Sequence, residues 1–181
     1  MKNIYLITGG QRSGKSLYAE HLAMSLTEEP VYLATAHISD AEMEKRVAKH
    51  RQRRGDIWTT IEEETNLSRH DMTGKVVLVD CLTTWIANMM MKEAGAAHDA
   101  SLPNGAEATA DLQQSLYDEL DRLFAQDATF IFVTNEVGMG GISANTMQRQ
   151  FSDLQGMVNQ YVAHHADNVV LMVSGLPVIV K

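Results

Sequence analysis

Residues 9–16, Gly-Gly-Gln-Arg-Ser-Gly-Lys-Ser, constrain this chain more than any other segment. They match the pattern G-x-x-x-x-G-K-[ST]. An apolar β-type run, NIYLIT at residues 3–8, precedes them, and a helical pattern running from Lys15 to about Thr27 follows. The glycines let the backbone turn tightly and bring several N–H groups towards one anion. A helix beginning at Lys15 adds the positive end of its dipole at the same point. In that arrangement the Lys15 ammonium reaches the β- and γ-phosphates of a nucleoside triphosphate, and the Ser16 hydroxyl holds Mg2+. A glycine-rich turn with an exposed lysine is the plainer alternative. The strand before the motif and the helix after it argue against that.

Further short apolar runs alternate with helical patterns. Strands are expected at residues 31–35 (VYLAT), 76–80 (VVLVD), 129–134 (TFIFVT), 169–173 and 178–180, and residues 58–61 read as a short strand or edge. Helices are expected at residues 40–54, with Asp40 as N-cap and Gly55 as stop signal, from the end of the 76–80 strand to about Glu93, at residues 106–126, and at residues 144–165, the longest. Residues 94–105 read as a surface loop, and residues 135–141 are glycine-rich and irregular. Continuous apolar strands separated by helices predict an α/β fold. The expected form is a P-loop NTPase-like, mostly parallel sheet with helices on both faces. Gly175 and Pro177 separate the last two strands by a tight turn, which predicts an antiparallel C-terminal edge pair. Ligands in such sheets sit beyond the carboxyl ends of the strands, so the segments after Thr8, Thr35, Asp80 and Thr134 are expected to share one crevice.

Composition narrows the functional classes. The 181 residues fit one domain, residues 1–181, and 45% of them are hydrophobic. The formal net charge of −8 makes nonspecific nucleic-acid binding a poor expectation. A single cysteine, Cys81, rules out an intrachain disulfide and fits a cytoplasmic setting. Neither a signal-peptide pattern nor an apolar run of about 20 residues is visible, so no membrane span is expected.

Other residues carry chemistry. Asp80 closes the strand VVLVD, where a carboxylate can bind Mg2+ directly or through water, or cap the helix that follows. Residues 45–54, KRVAKHRQRR, hold six Lys or Arg in a chain that is acidic overall. Such a cluster is a solvated helix face or a polyanion site. Its position after the second strand suits a triphosphate. His50 lies inside it, and the surrounding cations favour a neutral imidazole, which is a competent nucleophile towards phosphorus. From spacing alone, a lone histidine is more often a bystander. Trp58 is either core or a stacking platform. Glu62 either accepts hydrogen bonds from a guanine base or is one of three exposed acids. No His/Cys metal-ligand spacing is visible.

Several motifs occur together in order: GGQRSGKS, then YLATA at residues 32–36, E-M-x-x-R-V-x-x-H at residues 42–50, Trp58, TNEVGMG at residues 134–140, and R-Q-F-x-D-x-x-G-x-x-N-Q at residues 149–160. In this the chain resembles the bifunctional adenosylcobinamide kinase / adenosylcobinamide-phosphate guanylyltransferase family of cobalamin biosynthesis. The resemblance spans essentially the whole chain. It implies two reactions: phosphorylation of adenosylcobinamide by ATP or GTP, then transfer of GMP from GTP, through a guanylylated histidine, to adenosylcobinamide phosphate. His50 stands where that histidine is expected. The resemblance further implies a nucleotide site lined by Gly9, Gly10, Gln11, Arg12, Ser13, Gly14, Lys15 and Ser16, by Ala34, Thr35 and Ala36, by Arg51, Gln52, Arg53 and Arg54, and by Glu62 and Asp80. It also implies a requirement for Mg2+, with Ser16 and Asp80 beside it, and a homotrimer. Residues 141–144, Gly-Ile-Ser-Ala, depart from the family's Ile-Val-Pro continuation and bear on the corrinoid contacts.

Two other readings remain at this point. A plain P-loop kinase of another small molecule would form no covalent enzyme–nucleotide species. A nucleotide-dependent regulatory module would need partner-binding surface, and no added domain or amphipathic tail supplies it.

Overall fold

The computed structural model describes residues 2–36, 48, 51–52, 54–96 and 106–181. Seven strands form one sheet: β1 (Asn3–Gly9), β2 (Val31–Ala34), β3 (Thr59–Glu62), β4 (Val76–Asp80), β5 (Thr129–Val133), β6 (Asn168–Val173) and β7 (Leu176–Ile179). Their order is β3-β2-β4-β5-β1-β6-β7. Every neighbouring pair is parallel except β6 and β7, which pair antiparallel. The helices are α1 (Lys15–Leu26), α2 (Leu82–Ala96), α3 (Ala106–Phe124) and α4 (Thr146–His165), with two short 3-10 turns, Leu67–Arg69 and Val137–Gly140.

Strands buried on both faces need apolar residues at successive positions rather than alternating ones. β5, TFIFV, is buried at all five positions. It lies between β1 and β4, with Ile4 opposite Phe130 on one side and Val77 opposite Phe130 on the other. The expected strand or edge at residues 58–61 is an edge strand shifted by one residue, β3, paired along β2 from Val31↔Thr59 to Ala34↔Glu62, with Trp58 just before it.

Two cores follow from the two faces. On one, α1 lays the small residues Ala19 and Ala23 against Ile7, Leu78, Ile131 and Val170. On the other, α2, α3 and α4 cover Leu33, Val79, Phe130 and Phe132 with Trp85, Leu116, Leu120, Val158 and Val162. Helix α3 reaches that core through Leu112, Leu116, Leu120 and Leu123, a stripe at three- and four-residue spacing. Each such leucine stabilises the fold by about 1.5–3 kcal/mol. Helix α4 starts at Asn145, whose side chain accepts a hydrogen bond from the Gln148 N–H at 3.0 Å.

Most boundaries lie within two residues of expectation, and two differences have a physical reason. Helix α2 runs to Ala96, three residues into the segment expected to be loop: residues 82–94 hold neither glycine nor proline, and Gly95 stands only one residue before its end. Pro177 lies within β7 opposite Met172, not in the turn. The turn is Ser174–Gly175, both at positive φ, the two-residue form that matches strand twist. An edge strand tolerates the missing N–H of Pro177. Of the helix expected at residues 40–54, Ala48, Arg51, Gln52 and Arg54 are described and helical, and Gly55 follows at φ +69°. The remainder, with His50 and Arg53, and most of the loop expected at residues 94–105, lie outside the described residues.

Gly9 ends β1 at φ +144°, and a Cβ there would stand 2.5 Å from the Met172 carbonyl oxygen. At Gly10 an added Cβ meets nothing within 4 Å. Gly9→Ala is therefore expected to lose at least about 2 kcal/mol in denaturant unfolding, and Gly10→Ala less than about 1 kcal/mol. Equal losses would show that the Gly9 contact relaxes at little cost.

Candidate nucleotide site

The loop between β1 and α1 is shaped by backbone conformation. Arg12 takes φ +58°, and Gly14, at φ +96°, leads into α1 with no side-chain cap. The N–H groups at this helix start point out of the sheet's carboxyl end, as an anion cradle requires. The β6–β7 turn braces the loop from outside. The Gly175 N–H donates to the Ser13 carbonyl at 3.0 Å, and a Cβ on Gly14 would come within 3.3 Å of the Gly175 Cα. Lys15 is buried, and its ammonium folds back to donate to the Gly10 carbonyl at 2.6 Å. The Ser13 hydroxyl is buried without a hydrogen-bond partner among the described residues. A buried orphan hydroxyl costs about 1–3 kcal/mol, so a cradle holding one fits a ligand oxygen at that point. Ser16 is half-buried on the first turn of α1, while Gln11 and Arg12 are exposed.

The neighbouring strand ends are tied together by side chains. Thr35 is fully buried. Its hydroxyl donates to the Cys81 carbonyl and accepts from the Cys81 N–H, each at 2.8 Å, so it is occupied in joining β2 to β4. Asn88 on α2 holds the Thr35 carbonyl at 2.7 Å. Ala34 and Ala36 are partly exposed at the end of β2. The Tyr32 hydroxyl donates to Asp80 Oδ2 at 3.0 Å. Burial, reinforced by the Asp80 charge, pushes the Tyr32 phenol far above its ordinary range, with Arg54 opposing, so Tyr32 remains a donor.

The basic segment divides. The Arg54 guanidinium carbon sits 3.3 Å over the Tyr32 ring, and the residue is buried, with Nη1 lacking a partner among the described residues. A desolvated cation on an aromatic face is worth about 2 kcal/mol. Trp58 packs edge-on to the same ring, with centroids 6.1 Å apart, and is core on this evidence of burial. Arg51 instead pairs loosely with Glu62 at 3.7 Å, both in solvent. Arg51, Gln52, Gly55, Asp56, Trp58 and Thr60 line an open depression of about 460 Å³. Arg54, Tyr32 and Asp80 thus form one chain of contacts from the basic segment to the crevice. Glu62, at the end of β3, is the member furthest from the P-loop in strand order.

Sequence reading passed over a second group of side chains. The Thr8 hydroxyl donates to Glu136 Oε1 at 2.6 Å, and the Glu136 N–H donates to the Gly9 carbonyl at 3.2 Å. Beneath them, Thr134 donates to Asn159 Oδ1 at 2.7 Å, and Gln155 Nε2 donates to Thr134 at 2.7 Å and to Asn159 at 3.0 Å. Asn159 passes the connection upward, donating to the Asn135 carbonyl at 3.1 Å and to Glu136 Oε1 at 3.4 Å. The TNEVGMG and G-x-x-N-Q motifs hold Thr134, Asn135, Glu136 and Asn159, but only the adjacency of β1 and β5 and the packing of α4 bring them together with Thr8 and Gln155.

The fold and this cradle define a P-loop nucleotide-binding protein. A solved ATPase from the type III secretion system of pathogenic bacteria superposes with a TM-score of 0.55, covering 93% of this chain and 50% of that one at 13% identity, a likeness of fold alone. The family model described as cobinamide kinase / cobinamide phosphate guanyltransferase matches residues 5–180. The bifunctional adenosylcobalamin biosynthesis protein CobU of Escherichia coli is 37% identical over 97% of this chain and 98% of its own length. The bifunctional adenosylcobalamin biosynthesis protein CobP of Pseudomonas aeruginosa is 34% identical over 97% and 96%. The chain belongs to the cobinamide kinase / cobinamide phosphate guanyltransferase family of enzymes. Among its described residues, no helix is long and apolar enough to cross a membrane.

The buried amide of Asn159 serves four groups at once. Asn159→Ala is expected to cost about 2–3 kcal/mol in chemical denaturation, because Thr134 and Gln155 lose a shared partner in a dry site. A loss below about 0.5 kcal/mol would mean that water replaces the amide freely.

Proposed function

We propose that this chain phosphorylates the hydroxyl of adenosylcobinamide with ATP or GTP. It then converts adenosylcobinamide phosphate to adenosylcobinamide-GDP, with GTP as the GMP donor. The observation that carries this reading is the family match over residues 5–180, nearly the whole chain. The chain's own cradle supports it, since Ser13, Lys15 and the α1 N-terminus are arranged for a polyphosphate.

Each step balances. In the first, the acceptor oxygen bonds to the γ-phosphorus and the β–γ bridging bond breaks, releasing the nucleoside diphosphate and a proton. In the second, the neutral His50 imidazole attacks the α-phosphorus of GTP and pyrophosphate leaves. In the third, a phosphate oxygen of adenosylcobinamide phosphate displaces His50 from the bound GMP. Splitting the transfer in two spares the anionic acceptor a direct attack on the more highly charged triphosphate. Lys15 and the arginines at 51, 53 and 54 offset the charge of the leaving pyrophosphate.

Mg2+ is part of this proposal. Among the described residues no group of three or more His, Cys, Asp or Glu could hold a metal ion. That suits Mg2+, which uses one or two carboxylates and substrate phosphates in place of a protein cage. Asp80, oriented by Tyr32, and Ser16 are hard oxygen donors of the right kind. When bound, the ion neutralises charge on the phosphate oxygens.

Incubation with Mg2+ and α-labelled GTP, followed by denaturing electrophoresis, tests the covalent step. The wild type is expected to carry an acid-labile, alkali-stable label that chelation prevents and that His50→Ala lacks. No label under conditions where GTP binds would leave a simple kinase as the better account.

The same reading includes a cytoplasmic homotrimer. The single thiol, Cys81, supports a reducing compartment. The exposed apolar edge formed by Leu176, Val178, Ile179 and Val180 supports association. Sedimentation is expected to give three times the chain mass, and Ile179→Glu to lower it. A wild-type mass of one chain would overturn the trimer.

A further inference from the structure

We propose that Glu136 is the general base of the kinase step, taking the proton of the acceptor hydroxyl as it attacks the γ-phosphorus. This rests on the kinase reading above and adds a residue to it. The carboxylate stands beside the phosphate cradle, since its own N–H is bonded to the carbonyl of Gly9, the first residue of the P-loop. Strand β5 lies between β1 and β4, so Glu136, three places beyond its end, emerges between the cradle and Asp80.

One oxygen of this carboxylate is fixed and the other is not. Oε1 accepts from Thr8 at 2.6 Å and from Asn159 at 3.4 Å. Oε2 takes no hydrogen bond from any described residue, and the side chain is only half-buried. A base needs this division, with one oxygen holding the orientation and one open to the incoming proton. Thr8 lies on the sheet face of Ile4 and Leu6, opposite the α1 face, so Glu136 addresses the cradle from the side that α1 does not cover. The segment that follows it exposes Met139 and Ile142, an apolar approach suited to a bulky acceptor.

The other carboxylates at the crevice are engaged elsewhere. Asp80 is held by Tyr32 and assigned to Mg2+, and Glu62 lies at the far end of the sheet with Arg51. In the proposed step the hydroxyl O–H bond breaks towards Oε2, the oxygen–phosphorus bond forms, and the β–γ bridging bond breaks to release the diphosphate. Glu136 ends the step as the protonated acid and then returns its proton to solvent.

The chemistry separates the reactions. Only the kinase step has a nucleophile carrying a proton that must be removed. His50 attacks through a neutral nitrogen, and adenosylcobinamide phosphate attacks through an oxygen already anionic. The test measures both activities in Glu136→Gln and Glu136→Asp: phosphorylation of adenosylcobinamide, and enzyme labelling by α-labelled GTP. Glutamine retains an oxygen to accept from Thr8, so the anchor persists while the base is removed. The expected result for Glu136→Gln is a fall in kinase kcat of about 100-fold or more, with the KM for adenosylcobinamide changed less than about threefold. The ratio of kinase to labelling rate should fall by a similar factor, with Glu136→Asp intermediate. Kinase and labelling falling together would assign Glu136 to the architecture of the cradle and overturn the proposal. So would a Glu136→Gln kinase rate near wild type. A wild type that labels with GTP but never phosphorylates adenosylcobinamide would remove the kinase reading itself, and the base with it.

Discussion

The close passage of the β1–α1 loop past the end of β6 is the contact on which the rest of the site depends. At Gly9 the backbone runs so near the Met172 carbonyl that no side chain fits, and at Gly14 it passes close to Gly175. The β6–β7 turn therefore serves as the outer wall of the cradle, tied to it by the Gly175–Ser13 hydrogen bond. A phosphate cradle works by pointing several N–H groups at one place, and those groups do so only if the loop cannot relax. The antiparallel pair at the sheet edge, remote in sequence from the motif, provides that restraint.

The two halves of the crevice are supported differently. On the α1 side the support is aromatic and cationic: Arg54 lies on Tyr32, Trp58 meets its edge, and Tyr32 holds Asp80. On the opposite side it is a dry amide network, in which Gln155 and Asn159 on α4 hold Thr134, Asn135 and Glu136. Polar groups buried at this density are costly unless each has its partner. Their positions are correspondingly well defined. Both supports converge on strand ends either side of β5, next to the β1–α1 loop.

The alternation of apolar runs and helical patterns was enough to read the strands, the helices and the parallel character of the sheet. Residues 9–16 carry their own meaning, because the glycine positions, Lys15 and Ser16 are close in sequence and act within one turn of chain. The place of Asp80 at a strand's carboxyl end was legible because it closes an uninterrupted apolar run. Glu136 and Thr8 were not, because 128 residues separate them and they meet only through the strand order. Nothing local in the sequence says that β5 inserts between β1 and β4. Arg54 illustrates a different limit. It belongs to a run of cations that reads as a solvated or phosphate-facing cluster, yet the fold buries it on an aromatic ring, which periodicity within the cluster does not reveal. Pro177 was placed in a turn because proline interrupts ladders, but an outer strand leaves its missing donor without consequence.

β1 emerges during synthesis well before the strands that satisfy it. β1 has β5 on one side and β6 on the other, and its Ile4 N–H bonds to Asp167, 163 residues away. Until the C-terminal third of the chain has left the ribosome, β1 has neither neighbour, and the loop that follows it has no wall to lean against. An apolar strand held waiting in this way is exposed to misassociation, and pairings so distant in sequence close slowly. The walled form of the β1–α1 loop therefore arises late, although its own residues precede those of its wall by more than 150 positions.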